Sequence, residues 1–348
     1  MKVLLAMSGG VDSSVAGQLL LADGHDVVGV TMKLWGGASD TGCCSVSDVD
    51  DARRVAQQLD IDHLVFNFGD DFDRHVVDPY VRDHALGVTP NPCIECNRHV
   101  KFDRLLRRAD QLGFDAVATG HHARVGRDER GAHTLERGAD QAKDQSYVVH
   151  MLDQDDLART LFPVGHIDKT EVRRLAAEMG LRTASKPDSQ DVCFITSTGG
   201  RETFLGDRIS FRPGTVVDGS GARVGTVDAV EMVTIGQRRG IGLPGGGPKQ
   251  YVTDVDVPGA VVTVGGDDDL FRTAMTATAP TWVDGPVSGR VLVQCSAHGA
   301  TNAADIDPVG HDVVVTWAEP QRRVAPGQSV VFYDLADQRV LGGATATR

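Results

Sequence analysis

The chain has 348 residues, of which 41% are hydrophobic and 24% charged, and its formal net charge at pH 7 is −13. This length predicts two or three domains, and the composition is typical of a folded globular protein rather than a disordered one. The negative charge argues against a protein that coats nucleic acid indiscriminately, although it leaves room for a local basic patch.

No apolar run approaches the roughly 18 residues of a membrane helix. The apolar start of the chain breaks at Ser8, Gly9 and Gly10, which makes it too short for a secretory signal. We therefore expect a cytoplasmic protein.

The first two hundred residues alternate short apolar runs with longer runs of helical spacing. Strands are predicted at Lys2–Met7, Asp26–Met32, Leu64–Phe68 and Ala116–Thr119, and helices at Ser13–Ala22, Asp48–Leu59 and Arg98–Leu112. Strands separated by helices of this length predict an α/β fold with a doubly wound parallel sheet. A later helix is predicted to begin at the capping box Asp168-x-x-Glu171 and to end at Gly180.

After Gly199 and Gly200 the long helical periodicity stops, and short β-branched runs between glycines and prolines predict strands. These lie at Gly214–Val217, Glu231–Ile235, Gln250–Asp254, Ala260–Val264, Val291–Gln294, Asp312–Trp317 and Ser329–Phe332. We place boundaries near residues 199 and 268, which gives an α/β domain over 1–199, a small β-rich domain over 200–268 and an all-β domain over 269–348.

The segment SGGVDSS, residues 8–14, follows the first strand and opens the first helix. Its two glycines let the backbone turn tightly, and a helix start offers unpaired N–H groups to phosphate. Asp12 is placed to orient a metal ion bound to those phosphates. The alternative interpretation is an ordinary serine-glycine turn that caps a helix. The lysine and the spacing of a Walker loop are absent.

Six cysteines are too few for a disulfide scaffold, so we treat them as small hydrophobic residues or working thiols. Cys93 and Cys96 stand in a proline-stiffened loop at the start of a helix, a position that lowers a thiol's pKa. Cys193 by itself is typical of a buried core residue, but paired with Cys96 it becomes a candidate redox partner. Cys43 and Cys44 are predicted to be structural residues of a loop.

Several further motifs occur in order along nearly the whole chain. They are TMKLW (31–35), TPNPCIEC (89–96), KF (101–102), TGH (119–121), KDQSY (143–147), SQDVCFI (189–195), TIGQRRG (234–240) and PGQSVVFY (326–333). The loop SGGVDSS resembles the pyrophosphate loop of the ATP-pyrophosphatase (PP-loop) superfamily. The complete set resembles the bacterial tRNA-uridine 2-sulfurtransferases.

This resemblance implies an enzyme that uses ATP and Mg²⁺ to adenylate the C2 oxygen of the wobble uridine of tRNA. Sulfur carried as a persulfide on Cys193 then displaces AMP to give 2-thiouridine, and Cys96 is the nucleophile that forms a transient disulfide with Cys193. A cysteine desulfurase or a sulfur-relay protein is the implied sulfur donor. The implied architecture is a PP-loop ATPase domain, a small β-rich domain that contacts tRNA and a C-terminal β-barrel.

The resemblance also assigns binding residues by motif position. The implied ATP-binding residues are Ala6, Met7, Ser8, Gly9, Gly10, Val11, Asp12, Ser13, Met32 and Gly120. The implied contacts to the target base and tRNA are Asn91, Pro92, Cys93, His121, Lys143, Asp144, Gln145 and Gln328. Taken singly, Met32 is equally typical of a core residue, and Lys143 and Gln145 of a solvated surface.

The helix after Cys96 carries the densest basic stretch of the chain, which is either a solvated face or a contact to a phosphate backbone. From charge and placement alone, we predict phosphate-backbone contacts at Arg98, Lys101, Arg238 and Arg239.

The chain departs from the family pattern at two places. Many relatives carry an aspartate, interpreted as a general base, where this chain has Cys93, and relatives usually carry an arginine-rich strand where it has Val291–His298. The first departure creates a C-x-x-C pair with Cys96, so an alternative is a [4Fe–4S] cluster or zinc ion held by Cys93, Cys96 and Cys193. Two other functions stay open: an adenylating amidotransferase acting on a small metabolite, and a non-enzymatic metal or nucleotide sensor.

Overall fold

The computed structural model describes residues 1–34, 46–188, 192–195, 199–243 and 247–347. Cys43 and Cys44 lie outside these ranges, as do Trp35 of the TMKLW motif and residues 189–191 of the SQDVCFI motif. Among the described residues, none of the helices has the length and apolar character needed to span a bilayer.

The strands are β1 Lys2–Ala6, β2 Asp26–Lys33, β3 His63–Asn67, β4 Ala116–Ala118, β5 Ala123–Arg127, β6 His133–Arg137, β7 Thr160–Leu161, β8 Gly214–Val217, β9 Arg223–Val227, β10 Tyr251–Asp256, β11 Val261–Gly265, β12 Phe271–Trp282, β13 Gly289–Gln294, β14 Asn302–Val309, β15 Asp312–Arg322, β16 Ser329–Tyr333 and β17 Arg339–Ala346. The α-helices are α1 Val11–Ala22, α2 Val46–Gln58, α3 Gly69–Phe72, α4 Asp78–Ala85, α5 Pro92–Glu95, α6 Leu105–Gln111, α7 Gln154–Leu157, α8 Lys169–Glu178 and α9 Gly200–Gly206.

Five parallel strands form the first sheet, in the order β3-β2-β1-β4-β7. The central strand β1 is buried on both faces, with Leu4 packed in one core and Val3 and Leu5 in the other. The strand order reverses between β1 and β4, and such a reversal leaves a crevice at the carboxyl ends of the strands, where α/β proteins bind their ligands. The predicted doubly wound parallel sheet is confirmed.

The helix predicted at Arg98–Leu112 begins earlier, at Pro92. Its first turn α5 runs without a break into a π-helical stretch, Cys96–Arg104, and then into α6. Asn91 caps this helix, because its side-chain oxygen accepts a hydrogen bond from the Cys93 N–H at 3.1 Å. The capping box at Asp168 is observed as predicted, with its carboxylate accepting the Glu171 N–H at 2.8 Å.

The middle region contains a four-stranded sheet in the order β10-β11-β8-β9. The strand predicted at Glu231–Ile235 is wrong, because this segment opens with a short 3-10 helix, Val230–Met232. Val230 and Val233 both pack into the core of this sheet. A spacing of three residues suits a helical turn rather than the alternation of a strand.

The C-terminal region is a closed six-stranded barrel, β12-β15-β14-β13-β16-β17, which the pairing of β17 with β12 completes. This confirms the predicted barrel. The sequence missed the hairpin β5–β6, which belongs to the first two hundred residues but extends the barrel sheet through a pairing of β6 with β17. The hairpin joins the barrel to the α/β region.

Gly165 lies where the polypeptide passes against the start of this hairpin. It is buried, and a Cβ atom at this position would lie 1.7 Å from the backbone oxygen of Ala123. We expect Gly165→Ala to lower the free energy of unfolding by about 1–3 kcal/mol, because one of two backbones must move. Urea unfolding followed by circular dichroism measures this change.

The matched control is Gly219→Ala, at an exposed turn where an added Cβ would have no atom within 4 Å. Equal unfolding midpoints for the two variants would contradict the close approach at Gly165.

Candidate functional site

A cavity of about 400 Å³ opens at the carboxyl ends of β1, β2 and β4. It is lined by most of the residues that the sequence singled out. Of the predicted ATP-binding set, those at the cavity are Ala6, Met7, Ser8, Gly10, Val11, Asp12, Ser13, Met32 and Gly120. Of the predicted base-contacting set, those at the cavity are Pro92, Cys93, His121, Lys143, Asp144 and Gln145. Cys96 and Cys193 line it as well.

The loop between β1 and α1 is shaped by close backbone approaches. Gly9 has φ +69°, and a Cβ there would lie 2.4 Å from the Asp48 carbonyl oxygen. On the other side, a Cβ at Gly120 would lie 2.6 Å from the Ser13 nitrogen. The Ser14 hydroxyl donates to the Gly10 carbonyl at 2.8 Å. The loop is therefore held as a tight turn at the start of a helix, which is a geometry that suits a phosphate group.

Asp12 stands in the first turn of α1 and is the centre of an ionic group. Lys169 Nζ lies 2.7 Å from each of its carboxylate oxygens, and His122 Nε2 lies 3.0 Å from one of them. Burial raises the pKa of Asp12, but the hydrogen bonds from His122 and Lys169 outweigh that effect and leave the pKa below its usual value. Asp12 is therefore an ionised carboxylate beside the loop.

A second lysine holds the loop from its outer side. Lys186 Nζ donates to the Gly9 carbonyl at 3.0 Å, to Asp48 at 2.6 Å and to Asp51 at 2.9 Å. Both acids lie on α2, so this lysine ties the loop to that helix and to the segment that leads to Cys193.

The thiols come from two segments that meet at the cavity. Cys96 is buried, while Cys93 and Cys193 are half-buried. The backbone N–H of Val192 donates to Cys93 Sγ at 3.3 Å, which brings the residue before Cys193 against the C-x-x-C loop. Val192 has φ +55°, a strained conformation for a β-branched residue, and such strain is found at functional sites.

Phe194 anchors the segment that carries Cys193. Its ring packs against Phe72 at 5.7 Å, Tyr80 at 5.4 Å and Phe204 at 5.1 Å, measured between ring centroids. Across the described ranges, no three His, Cys, Asp or Glu side chains are grouped as ligands for a metal ion. The thiols as placed do not fit an iron–sulfur cluster, so we derive no step through one.

Lys143, Asp144 and Gln145 each make a specific contact. Lys143 Nζ donates to Asp188 at 2.8 Å, and the Gln145 side-chain oxygen accepts the N–H of His122 at 2.9 Å. The Asp144 carboxylate accepts from Arg137 at 2.6 Å, so its charge is already paired. Lys143 and Gln145 thus connect this segment to the ionic group around Asp12.

Two residues of the predicted base-contacting set support the thiol loop from outside the cavity lining. Asn91 caps the helix at Cys93. Gln328, from the barrel, donates through Nε2 to the Thr89 carbonyl at 2.6 Å. The barrel therefore touches the loop that presents Cys93 and Cys96.

The four basic residues predicted to contact a phosphate backbone lie in different surroundings. Lys101 lines the cavity, whereas Arg98 faces Glu95 at 3.8 Å. Arg238 and Arg239 are exposed in the middle region. These four contacts stay predictions.

Sequence reasoning gave no role to four titratable residues that line the cavity, His122, Lys169, Asp188 and His298, nor to Arg173, which pairs with Asp188. Two of them had a local signal, since His122 follows the predicted His121 and Lys169 follows the capping residue Asp168. Nothing in the local pattern indicated that Lys169 would reach Asp12, 157 positions away.

His121 is buried beside Phe102 and Phe162 at 5.9 Å from each ring, with its Nδ1 atom 2.7 Å from the Thr119 hydroxyl oxygen. Burial, reinforced by the charge of Lys101, lowers the pKa of His121 to about 3. Its imidazole is therefore neutral at neutral pH.

We expect this burial to make the protein less stable in acid. In the unfolded chain His121 is protonated below about pH 6.5, whereas in the folded chain it stays neutral down to about pH 3. Protons therefore bind preferentially to the unfolded chain, and the free energy of unfolding decreases as the pH falls below 6.5. Between pH 7 and pH 5, the free energy of unfolding of His121→Gln should decrease by about 2 kcal/mol less than that of wild type. Urea titrations of both proteins at the two pH values measure this difference. His166→Gln, at an exposed histidine, is the control. The same pH dependence in wild type and His121→Gln would contradict the assignment.

Three family models match the chain in succession. Residues 1–197 match the tRNA methyl transferase HUP domain, residues 202–266 the tRNA methyl transferase PRC-barrel domain, and residues 272–346 the aminomethyltransferase beta-barrel domain. Together these matches span almost the entire chain.

Curated relatives match over their full length. The chain is 47% identical to the tRNA-specific 2-thiouridylase MnmA of Mycobacterium ulcerans, covering 100% of this chain and 98% of the relative. It is 44% identical to the protein of the same name from Roseiflexus castenholzii, covering 100% and 99%.

Solved structures match more distantly. A 4-thiouridine synthetase–RNA complex with bound ATP is 22% identical, with a TM-score of 0.34, over 56% of this chain and 44% of that chain. A predicted tRNA methyltransferase subunit from Methanocaldococcus jannaschii is 18% identical, with a TM-score of 0.33, over 51% and 75%. TM-scores this low do not establish that these structures share the fold of this chain.

The full-length identity and the three consecutive domain matches lead to one assignment. The chain belongs to the tRNA-specific 2-thiouridylase family.

Proposed function

We propose that this protein is an enzyme that uses ATP to convert a wobble uridine of tRNA into 2-thiouridine. The observation that carries the proposal is the single cavity lined by both the phosphate-type loop and the thiols Cys93, Cys96 and Cys193. Adenylation and sulfur transfer act on two bonded atoms of one base, the C2 oxygen and the C2 carbon of uracil, so both sites must open onto one space.

The loop side of the cavity supports the adenylation step. The N–H groups at the start of α1 and the hydroxyl of Ser8 would bind the β- and γ-phosphates of ATP, while Met32 and Gly120 would bound the nucleotide. The uracil C2 oxygen attacks the α-phosphorus, the N3 proton of the base is lost to solvent and pyrophosphate leaves; N3 regains a proton when 2-thiouridine is released. Asp12, the carboxylate beside the loop, would hold Mg²⁺, which supplies positive charge to the departing pyrophosphate.

The thiol side of the cavity supports sulfur transfer. A persulfide on Cys193 attacks the adenylated C2 carbon through its outer sulfur, the C2–O bond breaks and AMP leaves. The thiolate of Cys96 then attacks Cys193 Sγ, which breaks the S–S bond, releases 2-thiouridine and leaves a Cys96–Cys193 disulfide. An external thiol reductant supplies two electrons to restore both thiols, and a cysteine desulfurase or relay protein reloads the sulfur.

The remaining assignments accompany this proposal. Residues 1–199 would be the catalytic domain, 200–268 the domain that contacts tRNA, and 269–348 a barrel that supports the thiol loop through Gln328. The cytoplasm is the expected compartment, because the thiols must be reduced between turnovers.

The two rival functions fit this cavity less well. An amidotransferase on a small metabolite has no use for three thiols beside the loop, and a cysteine-ligated metal or nucleotide sensor would show no AMP release that depends on tRNA. The descriptions of the matching family models mention methyl transfer. Among the described residues that line the cavity, none indicates that reaction, whereas the thiols there are groups that can carry sulfur.

The test is anaerobic turnover with unmodified tRNA, ATP, Mg²⁺ and a cysteine desulfurase with cysteine as the source of persulfide sulfur, with 2-thiouridine measured by mass spectrometry. We expect Cys193→Ser and Cys96→Ser to lose thiolation while keeping tRNA-dependent pyrophosphate release. Cys93→Asp, which restores the residue of the family pattern, should keep both. Cys295→Ala is the matched control, because burial in the barrel raises the pKa of that thiol to about 12 and leaves it unreactive.

The iron content of each variant separates the alternatives. If activity follows iron and all three cavity cysteine changes abolish it, a cluster carries the sulfur and the persulfide assignment is wrong. If wild type thiolates no uridine under conditions in which a known thiouridylase does, the proposed substrate is wrong.

A further inference from the structure

Asp188 collects three basic side chains on one carboxylate. Lys143 Nζ lies 2.8 Å from one oxygen, while Lys169 Nζ at 3.0 Å and Arg173 at 2.8 Å share the other. Its side chain is only one-third exposed. Burial raises the pKa of Asp188, but the hydrogen bonds from Lys143 and Lys169 lower it to about 2, so the carboxylate stays ionised at any assay pH.

Each partner of Asp188 also belongs to a different part of the site. Lys169 is bonded to Asp12 of the nucleotide loop, and Lys143 belongs to the segment assigned to the target base. Arg173 lies one turn further along α8, and its guanidinium also donates to the carbonyl oxygens of Ala184 and Lys186. The Asp188 carboxylate therefore connects its own segment, which leads to Cys193, to the nucleotide loop through Lys169 and to the segment assigned to the target base through Lys143.

Asp188 stands five positions before Cys193, and Phe194 is buried in the aromatic group described above. Cys193 thus stands between two fixed residues of the chain, Asp188 with its ion pairs and Phe194 with its aromatic contacts. A polypeptide spans at most about 3.3–3.6 Å per residue, so the position of Asp188 sets an upper limit on how far away the Cys193 thiol can lie.

We propose that Asp188 is a positioning residue for Cys193, and that sulfur transfer depends on it more strongly than adenylation does. This inference rests on the proposed function. In the part of the chain that the structure describes, Asp188 reaches the nucleotide loop only through Lys169, which binds Asp12, whereas Cys193 lies five positions further along its own segment.

The experiment separates the two half-reactions in Asp188→Asn, which keeps the shape of the side chain and removes its charge. We expect the single-turnover rate of 2-thiouridine formation to fall about tenfold or more, because small displacements of a reacting group cost that much, and to fall by a larger factor than tRNA-dependent pyrophosphate release does. Asp188→Glu should recover part of the rate. The rate of alkylation of Cys193 by iodoacetamide, measured by peptide mass spectrometry, should change in Asp188→Asn.

Two neighbouring arginines of α8 provide a matched pair. Arg173→Gln removes one partner of Asp188 and should lower sulfur transfer in the same direction as Asp188→Asn. Arg174→Gln is the control, because Arg174 pairs with Glu171 and Glu178 of its own helix and should behave as wild type. If circular dichroism shows that Asp188→Asn does not fold, the comparison of Arg173→Gln with Arg174→Gln tests the proposal instead. Equal rates of sulfur transfer in these two variants would then overturn it.

The proposal is overturned if Asp188→Asn thiolates at the wild-type rate, or if both half-reactions fall equally in a folded variant. Failure of wild type to thiolate tRNA would overturn the proposed function instead, and the two failures are distinguishable.

Discussion

The ion pair between Asp12 and Lys169 is the contact on which the site depends. Lys169 is only 8% exposed, and its ammonium lies between the carboxylates of Asp12 and Asp188. A buried ammonium without partners is costly, so these elements gain stability by staying together. The same contact orders the start of α1, the start of α8 and the segment before Cys193.

The topology of the first sheet explains why these groups can meet. Strand order reverses between β1 and β4, so the loops that follow these two strands diverge and leave a crevice between them. Asp12 follows β1, and His121 and His122 follow β4. The nucleotide loop and the two histidines are therefore neighbours because of strand order, although more than one hundred residues separate them in the chain.

Besides the Gln328 contact, the barrel meets the site at the guanidinium of Arg137, whose side chain is 11% exposed. Arg137, at the end of β6, binds Asp144 on one side and Asp337 of the barrel on the other, and it lies 3.9 Å from the centre of the Tyr333 ring. Planar stacking and several donors make arginine suited to such a junction. Because Asp144 sits between Lys143 and Gln145, the docking of the barrel also sets the register of the segment assigned to the target base.

The sequence by itself determined four of the five strands of the first sheet, a helix after each of the first three of them, the tight loop at SGGVDSS and the capping box at Asp168. These follow from local periodicity, from the conformational freedom of glycine and from side-chain capping, each of which acts within a few residues. Tertiary structure alone decided that His122 and Lys169 bind Asp12, that Asp188 gathers three cations, and that the hairpin β5–β6 joins the barrel. Those contacts join residues as much as 205 positions apart, as the pairing of Leu135 with Val340 shows, and no local pattern specifies which distant group a residue will meet.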